Sequence, residues 1–173
     1  MTPTMTLAET LLQELEMEAV TTRRVLERVP DDQLSWRPAD RSRTLGELAQ
    51  HIAVNPGSVS MMASQNPASP PDFQQADPVP TTTAELLTVL DSSMAQARHL
   101  LGGMSDSDLL ETWRMTAGGH DVMVMPRIAL LRAVLLNHWY HHRGQLSVYL
   151  RQVGAKVPSI YGPSADENPF APA

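Results

Sequence analysis

The sequence predicts an all-α fold: a four-helix bundle with a long proline-rich loop between helices 2 and 3 and a short extended hairpin or flap before helix 4. Three observations predict it. Apolar residues recur at helical spacing over four long stretches, half of the fourteen prolines fall between those stretches, and two short extended runs flank Gly118-Gly119. The 173 residues make one domain, with a bundle core from about residue 6 to 154 and a proline-rich tail over 155–173.

The first helix is expected from about Thr6 to Val29. Leu7, Leu11, Leu15, Val20, Val25 and Val29 form its apolar stripe, and Pro30-Asp31-Asp32 stops it. Glu14, Glu18, Arg23, Arg24 and Glu27 read as a solvated face. After a loop through Trp36-Arg37-Pro38-Ala39-Asp40, the second helix starts at Thr44, with Glu47 placed to complete a capping box. Leu45, Leu48, His51, Ile52 and Asn55 share one face of it. Pro56 opposes the carbonyl of Ile52 and should kink the helix rather than end it, because Val59, Met61 and Met62 continue an apolar face.

From Ser64 to Pro80, the prolines at 67, 70, 71, 78 and 80 exclude regular structure. A loop of this length either covers a pocket mouth or is a plain connection. The third helix is expected from about Thr83 to Leu101, with Leu86, Leu87, Leu90, Met94, Ala97 and Leu101 inward, His99 exposed, and Gly102-Gly103 as the stop. The runs around Gly118-Gly119 then form the hairpin or flap, with His120 exposed beside its turn. Pro126 suits the first position of the fourth helix, which meets no further proline before Val153 and ends at Gly154. Its core-facing stripe is read as Leu131, Val134, Leu135, His138, His142, Gln145 and Tyr149.

Composition narrows the function. A net charge of −6 and a pI near 5.4 argue against nucleic acid as a main partner. No run of about 18 apolar residues is present, so no membrane span is expected. The N-terminal Met1-Thr2-Pro3-Thr4-Met5-Thr6 carries neither a basic nor a long apolar region, which reads as a cytoplasmic protein. Cysteine is absent. Disulfides, thiolate ligands and a cysteine nucleophile are therefore excluded, any metal must be held by nitrogen and oxygen, and any thiol chemistry needs a thiol from outside the chain.

The chemistry concentrates in Asn137-His138-Trp139-Tyr140-His141-His142-Arg143-Gly144-Gln145. His138 and His142 stand one helical turn apart on one face, a spacing that lets two imidazoles share a metal ion. Chance gives about 0.2 such pairs in a chain with this histidine content, so the spacing alone leaves a metal pair and an ordinary surface pair evenly matched. Their place on the apolar stripe tips the balance, since buried rings need several partners or one metal. His51, alone on its helix, would be an ordinary core histidine; beside the other two it becomes a third ligand. Three neutral imidazoles leave a fourth tetrahedral position open. On zinc, water there has a pKa of about 7, which offers a hydroxide nucleophile, or the position takes and deprotonates a thiol. His141 points to one side and ranks below His142. Arg143 and Gln145 are candidates to act beside the metal; the alternative for Arg143 is a structural pair across the bundle. Trp139 and Tyr140 read as core or dimer contacts.

Two motifs carry a resemblance. Arg43-Thr44-Leu45-Gly46-Glu47-Leu48-Ala49-Gln50-His51-Ile52, preceded by Trp36-Arg37-Pro38, resembles the second-helix signature of the DinB-like (DinB/YfiT superfamily) bundle proteins. His138-x-x-x-His142-Arg143-Gly144-Gln145 resembles their fourth-helix motif, and the likeness runs on through Tyr149–Gly154, Pro158 and Tyr161-Gly162. It covers roughly Thr6 to Gly162. It implies a four-helix bundle holding one divalent metal, zinc or nickel, on His51, His138 and His142, and a homodimer. Members with assigned activity use low-molecular-weight thiols such as bacillithiol or mycothiol. The leading expectation is thus a metal-dependent thiol S-transferase acting on a small-molecule electrophile. A hydrolase using metal-bound hydroxide, or a non-catalytic metal- or ligand-binding stress-response bundle, are the alternatives. The proline-rich tail from Tyr161 to Ala173 adds a second motive for the dimer, as a docking segment for a partner subunit.

Overall fold

The computed structural model describes residues 5–72 and 78–171. Four long helical segments build the bundle: α1 (Leu7–Leu26), α2 (Leu45–Ser64), α3 (Thr83–Gly102), and a final rod made of α5 (Arg127–Leu130), a π-helical stretch Leu131–Asn137 and α6 (His138–Gln152). Between α3 and the rod lie a short helix α4 (Asp106–Leu110) and an antiparallel hairpin of β1 (Thr112–Ala117) and β2 (His120–Pro126). The helix starts are chemically defined. Thr6 with Glu9, Thr44 with Glu47 and Ser105 with Asp108 form reciprocal capping boxes, and Thr82 caps α3 through the amide of Glu85. Each such cap satisfies orphan amides and contributes about 1 kcal/mol.

Pro56 does not end α2, and the reason is tertiary. Proline has no N–H to give to the carbonyl of Ile52. The indole Nε1 of Trp139 on α6 donates to that carbonyl instead, at 2.8 Å. The next amide, Gly57 N–H, donates to Ser93 Oγ of α3 at 2.8 Å, while the same hydroxyl donates to Val54 O at 3.0 Å. A Cβ at Gly57 would lie 2.5 Å from Gln96 Oε1 and 3.1 Å from Ser93 Cα, so glycine is what lets α3 approach this closely. The proline thus locks α2 to both neighbours one turn beyond His51.

The hairpin matches the expectation of a Gly-Gly turn: Gly118 and Gly119 have φ of +58° and +82°. Trp113 and Met115 point into the core, and Trp113 Nε1 donates to Gln65 O at 2.7 Å. The connection after α2 is less irregular than its prolines suggest, because Ala68 forms a parallel bridge to Met115. Residues 73–77 of that connection lie outside the described residues, and with them the question of a pocket cover. Buried Arg127 closes this end of the bundle, donating to Ala63 O at 2.9 Å and meeting Glu111 at 3.0 Å.

Two expected stripes hold only in part: Leu11, Leu15, Val25 and Val29 of the first, and Leu131, Leu135 and Tyr149 of the last, are buried as expected. On α1, Val20 is 64 % exposed, whereas Thr22 is fully buried because its hydroxyl accepts from Arg143. On the final rod the most deeply buried positions are Leu130, Leu131, Leu135, Leu136, Trp139, Arg143, Leu146 and Leu150. His138, His142 and Gln145 are half-buried along the edge facing α2 rather than central to the core. The charged face of α1 is not simply solvated either: Glu14 pairs with Arg132, Glu18 with Arg143, and Arg24 with Glu167.

The tail docks on its own chain. Glu167 meets Arg24 and Arg28 of α1, Asp166 meets Arg151 of α6, and Tyr161 lies against Arg143. Its order therefore needs no partner subunit, which removes that motive for a dimer. Among the described residues no helix is long and apolar enough to cross a membrane.

Candidate metal centre

His51 on α2 and His138 and His142 on α6 converge. Among the described residues they form the one group of three such side chains able to hold a metal ion, with ligand atoms all within 4.8 Å of one another. His142 Nε2 lies 2.9 Å from His138 Nε2, which lies 3.4 Å from His51 Nε2. The rings stand at 86–88° to one another, arranged like the blades of a propeller about a shared centre.

The hydrogen bonds behind the rings decide what those nitrogens are. Asn55 donates its amide N–H to Leu135 O at 2.9 Å, which turns its oxygen toward His138 Nδ1, 3.2 Å away. Gln145 directs its nitrogen to the Tyr149 hydroxyl at 3.4 Å and its oxygen to His142 Nδ1 at 3.0 Å. An amide oxygen only accepts, so both Nδ1 atoms carry the proton and both Nε2 atoms are lone pairs. Two lone pairs facing each other at 2.9 Å cannot hydrogen-bond. A cation between them resolves the conflict. Metal–nitrogen bonds of about 2.0–2.1 Å at angles of 90–110° place nitrogens roughly 2.8–3.4 Å apart, which matches the observed separations. The residues present therefore fit a divalent ion.

Electrostatics agree. Burial, then the positive charge of Arg43 and the neighbouring His142 and His138, push His51 down to about 3. His138 is lowered by burial and then by His142, His141 and Arg43; His142 is lowered by burial, with His141 and Arg43 adding to it against the opposing bond to Gln145. All three rings are neutral near pH 7, as metal ligation requires. All three are half-buried rather than sealed in the core.

Of the flanking candidates, Gln145 accepts from His142 Nδ1. Arg143 turns the other way: only 1 % exposed, it pairs with Glu18 at 2.6 Å and lies between the rings of Tyr140 and Tyr161, 5.3 and 5.0 Å from their centroids. It is the cross-bundle structural arginine. His141 is exposed and outside the group, its ring against that of His142; His99 and His120 are exposed. Trp139 is core, and Tyr140, half-buried, donates its hydroxyl to Glu14 at 2.9 Å. The functional residue that sequence reasoning passed over is Asn55. The signal was there: a polar amide one turn after His51 on an apolar face needs partners.

Comparisons with known proteins agree with this fold. The model of the DinB family matches residues 1–169. The chain is 32% identical over 160 residues to the uncharacterized protein YrdA of Bacillus subtilis (strain 168), covering 90% of this chain and 89% of YrdA. Identity to the uncharacterized protein YjoA of the same organism is 28%, over 77% of this chain and 82% of that one. Among solved structures, a DinB-like protein from Bacillus cereus ATCC 10987 superposes with a TM-score of 0.69 at 27% identity, covering 87% of this chain and 95% of that one. A DinB family member from Exiguobacterium sibiricum 255-15 superposes at 0.62 with 24% identity, covering 92% and 95%, which speaks for the fold alone.

Proposed function

The chain belongs to the DinB family, and from that premise we propose that it is a divalent-metal-dependent thiol S-transferase centred on His51, His138 and His142. The observation that carries the reading is the 2.9 Å approach of two imidazole lone pairs with a third ring nitrogen beside them. Bound there, zinc or nickel supplies a Lewis acid that lowers the pKa of an incoming thiol and holds its sulfur in reach of an electrophile.

The chain's own part is to hold and orient. Asn55 and Gln145 keep the Nδ1 protons of His138 and His142 in place, so that both Nε2 lone pairs face the centre. Three neutral ligands leave the full double charge of the ion uncompensated, which favours an anionic sulfur over a neutral one. With no cysteine in the chain, the sulfur must arrive with a cosubstrate. The reading also includes a homodimer, for which the exposed Met17 and Val20 of α1 offer apolar surface; its check is the mass by light scattering at micromolar concentration.

Untagged protein should contain about one divalent ion per chain by elemental analysis, and His51→Ala should lose it. Turnover of a panel of small electrophiles should need both the metal and an added thiol. Metal-dependent turnover without thiol would replace the transferase by a hydrolase, and no turnover in any arm would leave a binding protein.

A further inference from the structure

The two amides behind the histidines look alike but answer to different partners. Asn55 Nδ2 donates to Leu135 O at 2.9 Å, and a backbone carbonyl can only accept. Turning that amide over would set oxygen against oxygen at a position only 4 % exposed. Asn55 is therefore fixed, and with it the Nδ1 proton of His138. Gln145 Nε2 instead meets the Tyr149 hydroxyl, at 3.4 Å. A phenol both donates and accepts. Among the described residues nothing else bonds that hydroxyl, so its proton can rotate toward Gln145 or away from it. The ring itself is held: it is buried, and Trp36 packs edge-on against it with centroids 5.6 Å apart.

A half-turn of the Gln145 amide exchanges its nitrogen and oxygen without needing space. The chain thus has two complete settings at His142. In the one that suits the ion, His142 Nδ1–H donates to Gln145 Oε1, Gln145 Nε2 donates to Tyr149, and both Nε2 lone pairs face the centre. In the other, Tyr149 donates to Gln145 Oε1, the amide nitrogen donates to His142 Nδ1, and the proton of His142 sits on Nε2. That Nε2–H points at His138 Nε2, which Asn55 keeps as a lone pair, 2.9 Å away and so at an ordinary hydrogen-bond length. Every donor of the relay then has an acceptor. The imidazole carries one proton and no charge in both settings.

We propose that His142 is the switchable ligand of this centre and His138 the fixed one: metal uptake turns the Gln145 amide over and moves the His142 proton from Nε2 to Nδ1, with Tyr149 as the hydroxyl that permits the turn. The proton passes through solvent, one leaving Nε2 and one being taken up at Nδ1. The inference rests on the metal reading above and adds how that site is regulated. Gln145 is a positioning residue. The bond between His142 and His138 competes with the ion, so it keeps the centre assembled when metal is scarce. It also lowers the affinity by the fraction of chains held in that setting.

The test is a long-range proton–nitrogen NMR spectrum of the full chain, isotope-labelled at histidine, metal-free and with zinc. It is recorded at about pH 8, above the ordinary histidine range. The two tautomers of a neutral imidazole give distinct nitrogen signals. Without metal, His138 should carry its proton on Nδ1 and His142 on Nε2; with zinc, both should carry it on Nδ1. Gln145→Glu replaces the amide by a carboxylate, which cannot donate to Nδ1. His142 should then hold its Nδ1 proton with and without zinc, and zinc should bind about tenfold or more tightly than in the parent. A metal-free parent with His142 protonated on Nδ1, or a Gln145→Glu variant with His142 still protonated on Nε2 before zinc is added, overturns the proposal and leaves the metal reading standing. Zinc that moves none of the nitrogen signals of the three rings overturns the metal reading, and this inference with it.

Discussion

Asn55 is the place where fold and metal centre can be separated by one side chain. It is 4 % exposed and makes two bonds with opposite polarity: it donates to Leu135 O at 2.9 Å and accepts from His138 Nδ1 at 3.2 Å. Asn55→Ala removes both. His138 N–H also donates to Leu135 O, so what is lost there is one buried hydrogen bond, which costs about 0.5–1.5 kcal/mol and for a chain of this size lowers the melting temperature by roughly 2–4 °C per kcal/mol. His138 also loses the acceptor that fixes its tautomer, and loss of such a partner typically weakens metal binding by about 10–100-fold. Asn55→Asp divides the two effects. It still accepts from His138, and more strongly, but cannot donate to Leu135 O. The aspartate variant should therefore be destabilised like the alanine variant while binding zinc at least as tightly as the parent. Competition against a chromophoric chelator measures the affinity, and thermal melts of the metal-free protein measure stability. Unchanged zinc affinity in Asn55→Ala, or equal losses in both variants, would refute the assignment of the His138 proton to Nδ1.

Two further outcomes follow from bonds already described. Trp139→Phe strands the Ile52 carbonyl and should cost about 1–3 kcal/mol in denaturant melts; adding Pro56→Ala returns a backbone N–H to that carbonyl, so the double variant should recover part of the loss, and strict additivity would count against the account. In the metal-free protein the three ring pKa values lie below the unfolded value of about 6.5, with His51 at about 3. The unfolded chain then binds more protons below pH 6.5, so stability falls as pH drops through this window. Urea melts between pH 6.5 and 5, where carboxylates contribute least, should show the fall, and His51→Gln should flatten it; identical slopes would remove the buried-neutral description of His51.

What the sequence discloses depends on how local the physics is. The helices and their starts are legible because a 3.6-residue period and a threonine followed three residues later by glutamate act within one segment. The three-histidine group is legible because few histidines are present and two share a turn. The phase of the final rod is not. Arg143 lies deep in the bundle only because Glu18, Thr22 and Tyr161 arrive from distant segments, and Trp139 turns inward to serve a carbonyl that Pro56 abandoned 87 residues earlier. Nothing near Arg143 announces those partners, whereas histidines beside apolar residues look like core positions.

The π-helical stretch Leu131–Asn137 sits immediately before His138. Such a turn accommodates one residue more than an α-turn, so if the same seven residues wound as a plain α-helix, everything after them would swing by about 100°. His138 and His142 would rotate away from α2, and Trp139 would leave the Ile52 carbonyl. The three-histidine group is thus encoded in the winding of the rod as much as in residue type. A descendant chain could keep every histidine and still be unable to grip an ion, having only tightened one turn.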